Sequence, residues 1–444
     1  MQRQPTTSWG LYPVVEAHTR KVRFEDDLAR LAQEGIPLLA QGNRRSYGDA
    51  CLAPRVVSTL GLNHLLSFDQ SAGLLRAQAG ITLDQILRFI VPRGWFLPVT
   101  PGTKFPTLGG CLAADVHGKN HHRDGAISNF VEELDMVLAD GTPIRCSAQQ
   151  NCALFWATLG GMGLTGFIYA ATLRLQAISS SYIRLRSVRT RDLEETCRLF
   201  AQTQRDNRYS MAWIDTLATG SRLGRSIVMM GDHASADEAA TANPLKLHAS
   251  PRLTVPFHLP SVVLNRWSVK AFNALYYRRQ WRHDRTTLVH YEPFFYPLDA
   301  IGHWNRIYGR AGFLQYQFVL PFAAGLDTVA DILQRIAARG TGSFLAVLKT
   351  LGDGAGPLSF PLPGYTLALD FPLHDKGIIP FLRQLDQLVL KTAGRVYLAK
   401  DAILQQEDFA RMYYPRLDEF KRLKRTYDPG HLFRSRQSDR LGLT

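Results

Sequence analysis

Paired cysteines, long apolar runs and acidic side chains are all scarce in this 444-residue chain. The five cysteines, Cys51, Cys111, Cys146, Cys152 and Cys197, are odd in number, and none forms the C-x-x-C pair of a zinc or thioredoxin motif. A reducing compartment is the natural reading. No apolar run approaches the roughly 20 residues that span a bilayer; Ile81 to Val91 is broken by Asp84, Gln85 and Arg88. Met1 to Gly10 has no apolar stretch from which a secretory signal is read. No repeat or low-complexity segment is present, and the composition (45% hydrophobic, 20% charged) excludes disorder, collagen and coiled coil. No G-x-S-x-G elbow, Walker loop, RRM, zinc finger or basic zipper occurs, so serine hydrolysis, P-loop phosphoryl transfer and nucleic-acid recognition lack support. The 38 acids stand against 52 Lys+Arg, a net charge of +14, so the chain is expected to meet something anionic.

The pattern that is present divides the chain. Residues 1–178 alternate short strands and helices: a helix over Glu25–Gln33, a strand Ile36–Ala40, a helix after the Thr82/Gln85 capping box, a strand Trp95–Thr100, and a hairpin at Asp140-Gly141. From 179 the spacing predicts strands at 209–215, 226–230, 313–320, 344–349 and 365–371. These bracket helices over 191–204, 326–338 and 379–392, an α+β arrangement with an antiparallel sheet. A strand-like piece from Tyr397 and a long basic helix over Phe409–Thr426 close the chain. Pro251 to His290 carries Arg252, Arg266, Lys270, Arg278, Arg279, Arg282 and Arg285 against the single acid Asp284, interleaved with Trp267, Phe272, Tyr276, Tyr277 and Trp281. That mixture suits an anionic membrane surface or a lipid phosphate; a solvated charged face explains it equally well.

Two glycine-rich loops carry the chemistry. One runs from Gln41-Gly42 through Asn43, Arg44, Arg45, Ser46 and Tyr47 to Gly48-Asp49. The other includes Gly102, Thr107, Leu108, Gly109 and Gly110, and continues through Asp115 to His117-Gly118-Lys119-Asn120-His121-His122. Glycine lets backbone N–H groups converge on an anion, so two such loops suit a dinucleotide's phosphates; tight turns need glycine as well. A third run, Gly160 to Gly166, contains G-x-G-x-x-G but follows a helix and precedes a strand, the reverse of the nicotinamide fingerprint. His117 and His121 at i, i+4 lack the H-E-x-x-H frame, and no metal site is expected.

These loops, together with Leu154 to Gly161, Ala212-Trp213-Ile214-Asp215, Gln315 to Phe318, Phe344 to Lys349 and Tyr397-Leu398-Ala399-Lys400-Asp401, resemble the vanillyl-alcohol-oxidase class of PCMH-type FAD-binding oxidoreductases. Within that class the resemblance is to the decaprenylphosphoryl-β-D-ribose 2′-oxidase family. It implies a two-part FAD domain, 1–178 with 396–444, and an inserted antiparallel-sheet cap, 179–395. It implies that Gly42 to Tyr47, Gly102, Thr107 to Gly110, Asp115, His117, Gly118, Ile168 and Tyr397 line FAD. Relatives with covalently attached flavin often carry histidine where this chain has Arg45, so non-covalent FAD is expected. Lys400, His117 and Gln317 are the expected catalytic residues, with Tyr47, Lys119, Trp213, Gln315, Gln317, Lys349 and Lys400 on the substrate. His117, Lys119 and Lys349 are expected to supply positive charge. The implied substrate is a polyprenyl-phosphate-linked pentose oxidised at its 2-hydroxyl, the first half of an epimerisation in cell-envelope glycan synthesis that an NAD(P)H-dependent keto-sugar reductase completes. The expected location is the cytoplasm, with peripheral contact to the inner membrane through 251–290; a periplasmic site stays open. Two other readings remain: a soluble alditol or aldonolactone oxidase, and a basic, non-enzymatic anion-surface binder.

Overall fold

A computed structural model describes residues 3–248 and 253–444, so Pro251 and Arg252 of the basic stretch lie outside the described residues. The first part of the chain builds two sheets. The strands Gln4–Thr6, Val15–Lys21, Arg55–Ser58 and Leu39–Gln41 form one, in that order, with the last two pairings parallel. Leu65–Asp69, Leu74–Gln78, Phe167–Arg174, Val131–Val137 and Pro143–Cys146 form an antiparallel second. The helix Glu25–Gln33 forms as expected. So does Leu83–Ile90, whose Thr82 hydroxyl and Gln85 side chain close a reciprocal cap. The strand expected at Trp95–Thr100 shrinks to Trp95–Phe96, and the one expected at Ile36–Ala40 shifts to Leu39–Gln41.

The middle of the chain forms one eight-stranded antiparallel sheet, ordered Asp284–His290, Tyr182–Thr190, Ser226–His233, Tyr209–Ile214, Val347–Leu351, Gly364–Pro372, Phe313–Pro321 and Arg395–Val396. Side chains alternate across a strand, so each strand serves both faces. Leu314, Tyr316, Phe318, Leu348, Leu367 and Leu369 join the core with the helices Leu193–Thr203, Phe322–Arg339 and Ile378–Lys391. Burying each such side chain stabilises the fold by roughly 1.5–3 kcal/mol. Their neighbours Gln315, Gln317, Val347, Lys349, Ala368 and Asp370 face a cavity on the other side. Register sets Gln315 opposite Asp370, Gln317 opposite Ala368, and Lys349 opposite Thr366.

The basic stretch is a helix, Arg266–Arg279, followed by the edge strand Asp284–His290. The helix docks through its polar and aromatic side: Asn273 donates to Asp215 at 2.8 Å, Tyr276 packs on Trp213, and Tyr277 donates to the Thr190 carbonyl at 3.1 Å. Trp267 and Leu275 point outward, 74% and 70% exposed.

The expected 409–426 helix is two helices, Gln406–Tyr413 and Arg416–Tyr427. Pro415 lies between them and lacks the N–H that a continuous helix needs. This last stretch returns to the first sheets. The buried Lys424 ammonium donates to the carbonyls of Leu164 and Phe433 and to Asp428, and Arg440 binds Asp49 and Asp401.

Candidate active site

A cavity of about 370 Å³ lies between the glycine loops and the cap sheet. Its loop side is made by backbone. Gly42 passes so close to the helix Leu108–Ala113 that an added Cβ would sit 2.2 Å from Thr107 Oγ1, the atom that caps that helix. A Cβ on Gly102 would meet nothing within 4 Å, so this glycine leaves room for a guest. Arg45 lies over Trp9 at 4.1 Å and Phe105 at 5.2 Å, and its buried Nε has no hydrogen-bond partner. A Gly-lined wall with an unmet cationic donor fits the phosphates and polar edges of FAD.

The cap side is made of titratable side chains. Lys119, Lys349 and Lys400 converge there from three separate segments, and Asp370 is the only acid on the cavity wall among the described residues. Burial and mutual repulsion pull Lys349 down to about 7, burial pulls Lys400 down to about 7 against the pull of Asp370, and burial pulls Lys119 down to about 8. Burial pushes Asp370 up to about 6, even though its carboxylate accepts from Gln315 Nε2 at 2.7 Å and Tyr308 Oη at 3.2 Å. Lys400 Nζ lies 3.9 Å above the Tyr47 ring. Tyr397 stacks on Phe360, lies against the His117 ring, and anchors its hydroxyl on the Ala114 carbonyl at 2.9 Å.

His117 does not supply the positive charge expected of it. Burial, with Lys349, His121 and Lys400 close by, holds its pKa far below the ordinary value, so the ring is neutral at pH 7. The other two histidines of the string turn elsewhere. His121 Nδ1 accepts from the Gly352 N–H at 3.0 Å, and His122 Nε2 donates to the carbonyls of Gln204 and Asn207.

Gly42, Asn43, Arg44, Arg45, Ser46, Tyr47, Gly102, Thr107, Gly109, Gly110, His117, Gly118, Ile168 and Tyr397 all line the cavity, as do Lys119, Gln315, Gln317, Lys349 and Lys400. Three expected residues do not. Leu108 is packed in the core, and Asp115 is fully buried, accepting from Ser359 Oγ at 2.6 Å and the Ser128 N–H at 3.2 Å. Trp213 lies on the face of the sheet opposite the helical core, but the helix Arg266–Arg279 covers it there, and its indole N–H donates to the Phe344 carbonyl at 3.0 Å. Asp370, Trp9, Trp304 and Leu298 were not anticipated, nor were Met162 and Gly163 of the third glycine run, which line the cavity without forming a nucleotide fingerprint. The one available signal for Asp370 was a lone acid inside an otherwise apolar strand.

Residues 25–147 match the FAD binding domain family, and residues 371–441 match the D-arabinono-1,4-lactone oxidase family. Over 425 residues the chain is 37% identical to decaprenylphosphoryl-β-D-ribose oxidase of Mycolicibacterium smegmatis, covering 94% of this chain and 92% of that one. An uncharacterized protein of Streptomyces coelicolor is 34% identical over 82% of this chain and all of its own length. Human Delta(24)-sterol reductase is 28% identical over 43% of this chain and 35% of its own.

Proposed function

The chain belongs to the family of decaprenylphosphoryl-β-D-ribose oxidase, FAD-dependent oxidoreductases, and from that premise we propose that it oxidises the 2-hydroxyl of a pentose carried on a polyprenyl phosphate. Residues 1–178 and 396–444 would hold FAD, without a covalent bond because Arg45 replaces the linking histidine, and 179–395 would cap the substrate. The product is a keto sugar, which an NAD(P)H-dependent reductase converts to the epimer for cell-envelope glycan synthesis. FAD, when bound, supplies the two-electron acceptor. The observation that carries the reading is a cavity running from the glycine loops to three lysines and one acid: backbone for a dinucleotide at one side, amine and ammonium donors for a phosphorylated sugar at the other. Incubating the holoenzyme with a polyprenyl-phosphate pentose and weighing the product tests it. Loss of two hydrogen atoms supports the reading, and an unchanged mass beside an oxidised free pentose overturns it. The match of residues 371–441 to D-arabinono-1,4-lactone oxidase favours the second reading, a lipid-independent alditol or lactone oxidase, which that opposite outcome would support.

Among the described residues no helix is long and apolar enough to cross a membrane. We propose peripheral contact at the cytoplasmic face of the inner membrane, through Trp267, Leu275 and Trp281 flanked by Lys270, Arg278, Arg279 and Arg282; these three apolar side chains are at least 70% exposed. Co-sedimentation with vesicles containing anionic lipid should fall several-fold for Trp267→Ala/Trp281→Ala. Undiminished binding would remove this face from the account.

A further inference from the structure

The hydrogen bonds around His117 decide which lysine is free to take a proton. Thr366 Oγ1 donates to the Phe318 carbonyl at 2.8 Å, so its hydroxyl proton is used. Its lone pair then accepts from Gln317 Nε2 at 3.1 Å, which fixes the orientation of that amide. The second N–H of the same amide points at His117 Nε2, 3.0 Å away, making Nε2 an acceptor. A neutral imidazole carries one proton, so it resides on Nδ1. Nδ1 faces Lys349 Nζ at 3.1 Å. A ring N–H and an ammonium are both donors, and this contact is attractive only if the Lys349 amine is neutral and offers its lone pair. Its own hydrogens have the Gly118 carbonyl, 3.5 Å away.

The surrounding charges agree with this assignment. Lys349 is faced by Lys119 and Lys400, both cationic when protonated, and by the neutral His117; no carboxylate contacts it among the described residues. Lys400 has the electrostatic support of Asp370. One ammonium with a counter-charge and one neutral amine is the least costly distribution in a shared cavity.

We propose that Lys349, held neutral by the Thr366–Gln317–His117 chain, is the proton acceptor of the reaction, while Lys400 stays the cationic partner of Asp370. The proposal rests on the alcohol-oxidation reading above. The hydroxyl O–H bond breaks and its proton bonds to Lys349 Nζ, giving an ammonium. Bound FAD would supply the acceptor for the carbinol hydrogen and its C–H electron pair, which leaves the substrate a ketone. The ammonium so formed can no longer accept from the Nδ1–H and keeps the Gly118 carbonyl, 3.5 Å away, as its acceptor.

Two measurements on the FAD-loaded enzyme test this. Nitrogen-15 NMR of histidine-labelled protein, with His117 assigned by comparison with His117→Asn, should show a neutral ring protonated at Nδ1; protonation at Nε2 would reverse every donor in the chain and overturn the proposal. Anaerobic flavin reduction by a polyprenyl-phosphate pentose should slow by about 10²–10⁴-fold in Lys349→Met. Lys349→Arg, which keeps the charge and cannot deprotonate, should be equally slow, and ethylamine should partly rescue Lys349→Met. An Arg variant within a few-fold of wild type would mean that Lys349 acts as a cation, which contradicts the proposal. If the wild-type flavin is reduced by no lipid-phosphate pentose, the functional reading fails on its own, and the His117 tautomer still judges the neutral amine separately.

Discussion

The two walls of the cavity are built on different principles. The loop wall is consecutive chain: Gly42 to Tyr47 and Thr107 to Gly110 shape it by close backbone approach and few charges. The cap wall is assembled from residues far apart in sequence: strand register sets Gln315 opposite Asp370 and Lys349 opposite Thr366, and the sheet so ordered brings Gln317 and Lys349 onto His117 from the second glycine loop. The first wall has the makings of a binding surface whose shape is fixed before any ligand arrives. The second is a titratable surface whose protonation states depend on each other.

If that division is right, substitutions on the cap wall should change chemistry and leave flavin content alone. After Lys349→Met, the largest effect is expected for Asp370→Asn. Removing the only acid on the wall among the described residues takes away the support that keeps Lys400 protonated, so the Lys400 pKa falls further. Anaerobic flavin reduction should drop by roughly 10²-fold, with the loss deepening as pH rises through 7. A variant with normal rates would dissolve the charge partition. Next comes Gly42→Ala on the other wall. A Cβ 2.2 Å from Thr107 Oγ1 should cost about 1–3 kcal/mol in loop geometry. The expected result is FAD affinity lowered by 10-fold or more in fluorescence titration, with a near-normal reduction rate once the flavin is saturated.

A third variant probes the joint between the walls. Lys104 Nζ binds Asp84 at 2.9 Å and Glu292 at 2.6 Å, tying a helix of the first part to the cap. Lys104→Met leaves two largely buried carboxylates facing each other and should lower the melting temperature by several degrees. Asp84 itself is held below the usual carboxylate range by Arg88 and Lys104 against the cost of burial. Its contribution is therefore present above about pH 4 and is lost as the pH falls through its depressed folded value. The smallest effect lies inside the cap core. Burial pushes Asp386 up to about 7; its Oδ1 accepts from Tyr316 Oη at 2.8 Å and its Oδ2 has no partner. An acid with a raised folded pKa destabilises progressively as pH rises from its unfolded value of about 4 to its folded value. Asp386→Asn should therefore raise the melting temperature by a degree or two at pH 8 and very little at pH 4. An equal shift at both pH values would mean that the ionisation is not the cause.

The contrast between the walls also explains what could be read before the structure. Helix Glu25–Gln33 and the Thr82 cap are local patterns, and so are the glycine loops, whose function is carried by neighbours in sequence. Asp370 was missed because its meaning comes from Lys400, Gln315 and Tyr308, brought to it by the sheet. Trp213 was misplaced for a related reason: strand alternation correctly turns it away from the helical core, but nothing in its own segment reveals that Tyr276 covers it. The break at Pro415 was overlooked because the basic, amphipathic pattern continues on both sides of it. His117 was expected to be charged, and only its surroundings show the ring to be neutral.

The most direct test of the whole account is anaerobic bleaching of the bound flavin by a polyprenyl-phosphate pentose, set beside the same pentose without its lipid phosphate. The account predicts stoichiometric bleaching by the first at concentrations where the second does nothing. Equal bleaching by both would contradict it, because the cationic wall would then have no phosphorylated substrate to recognise.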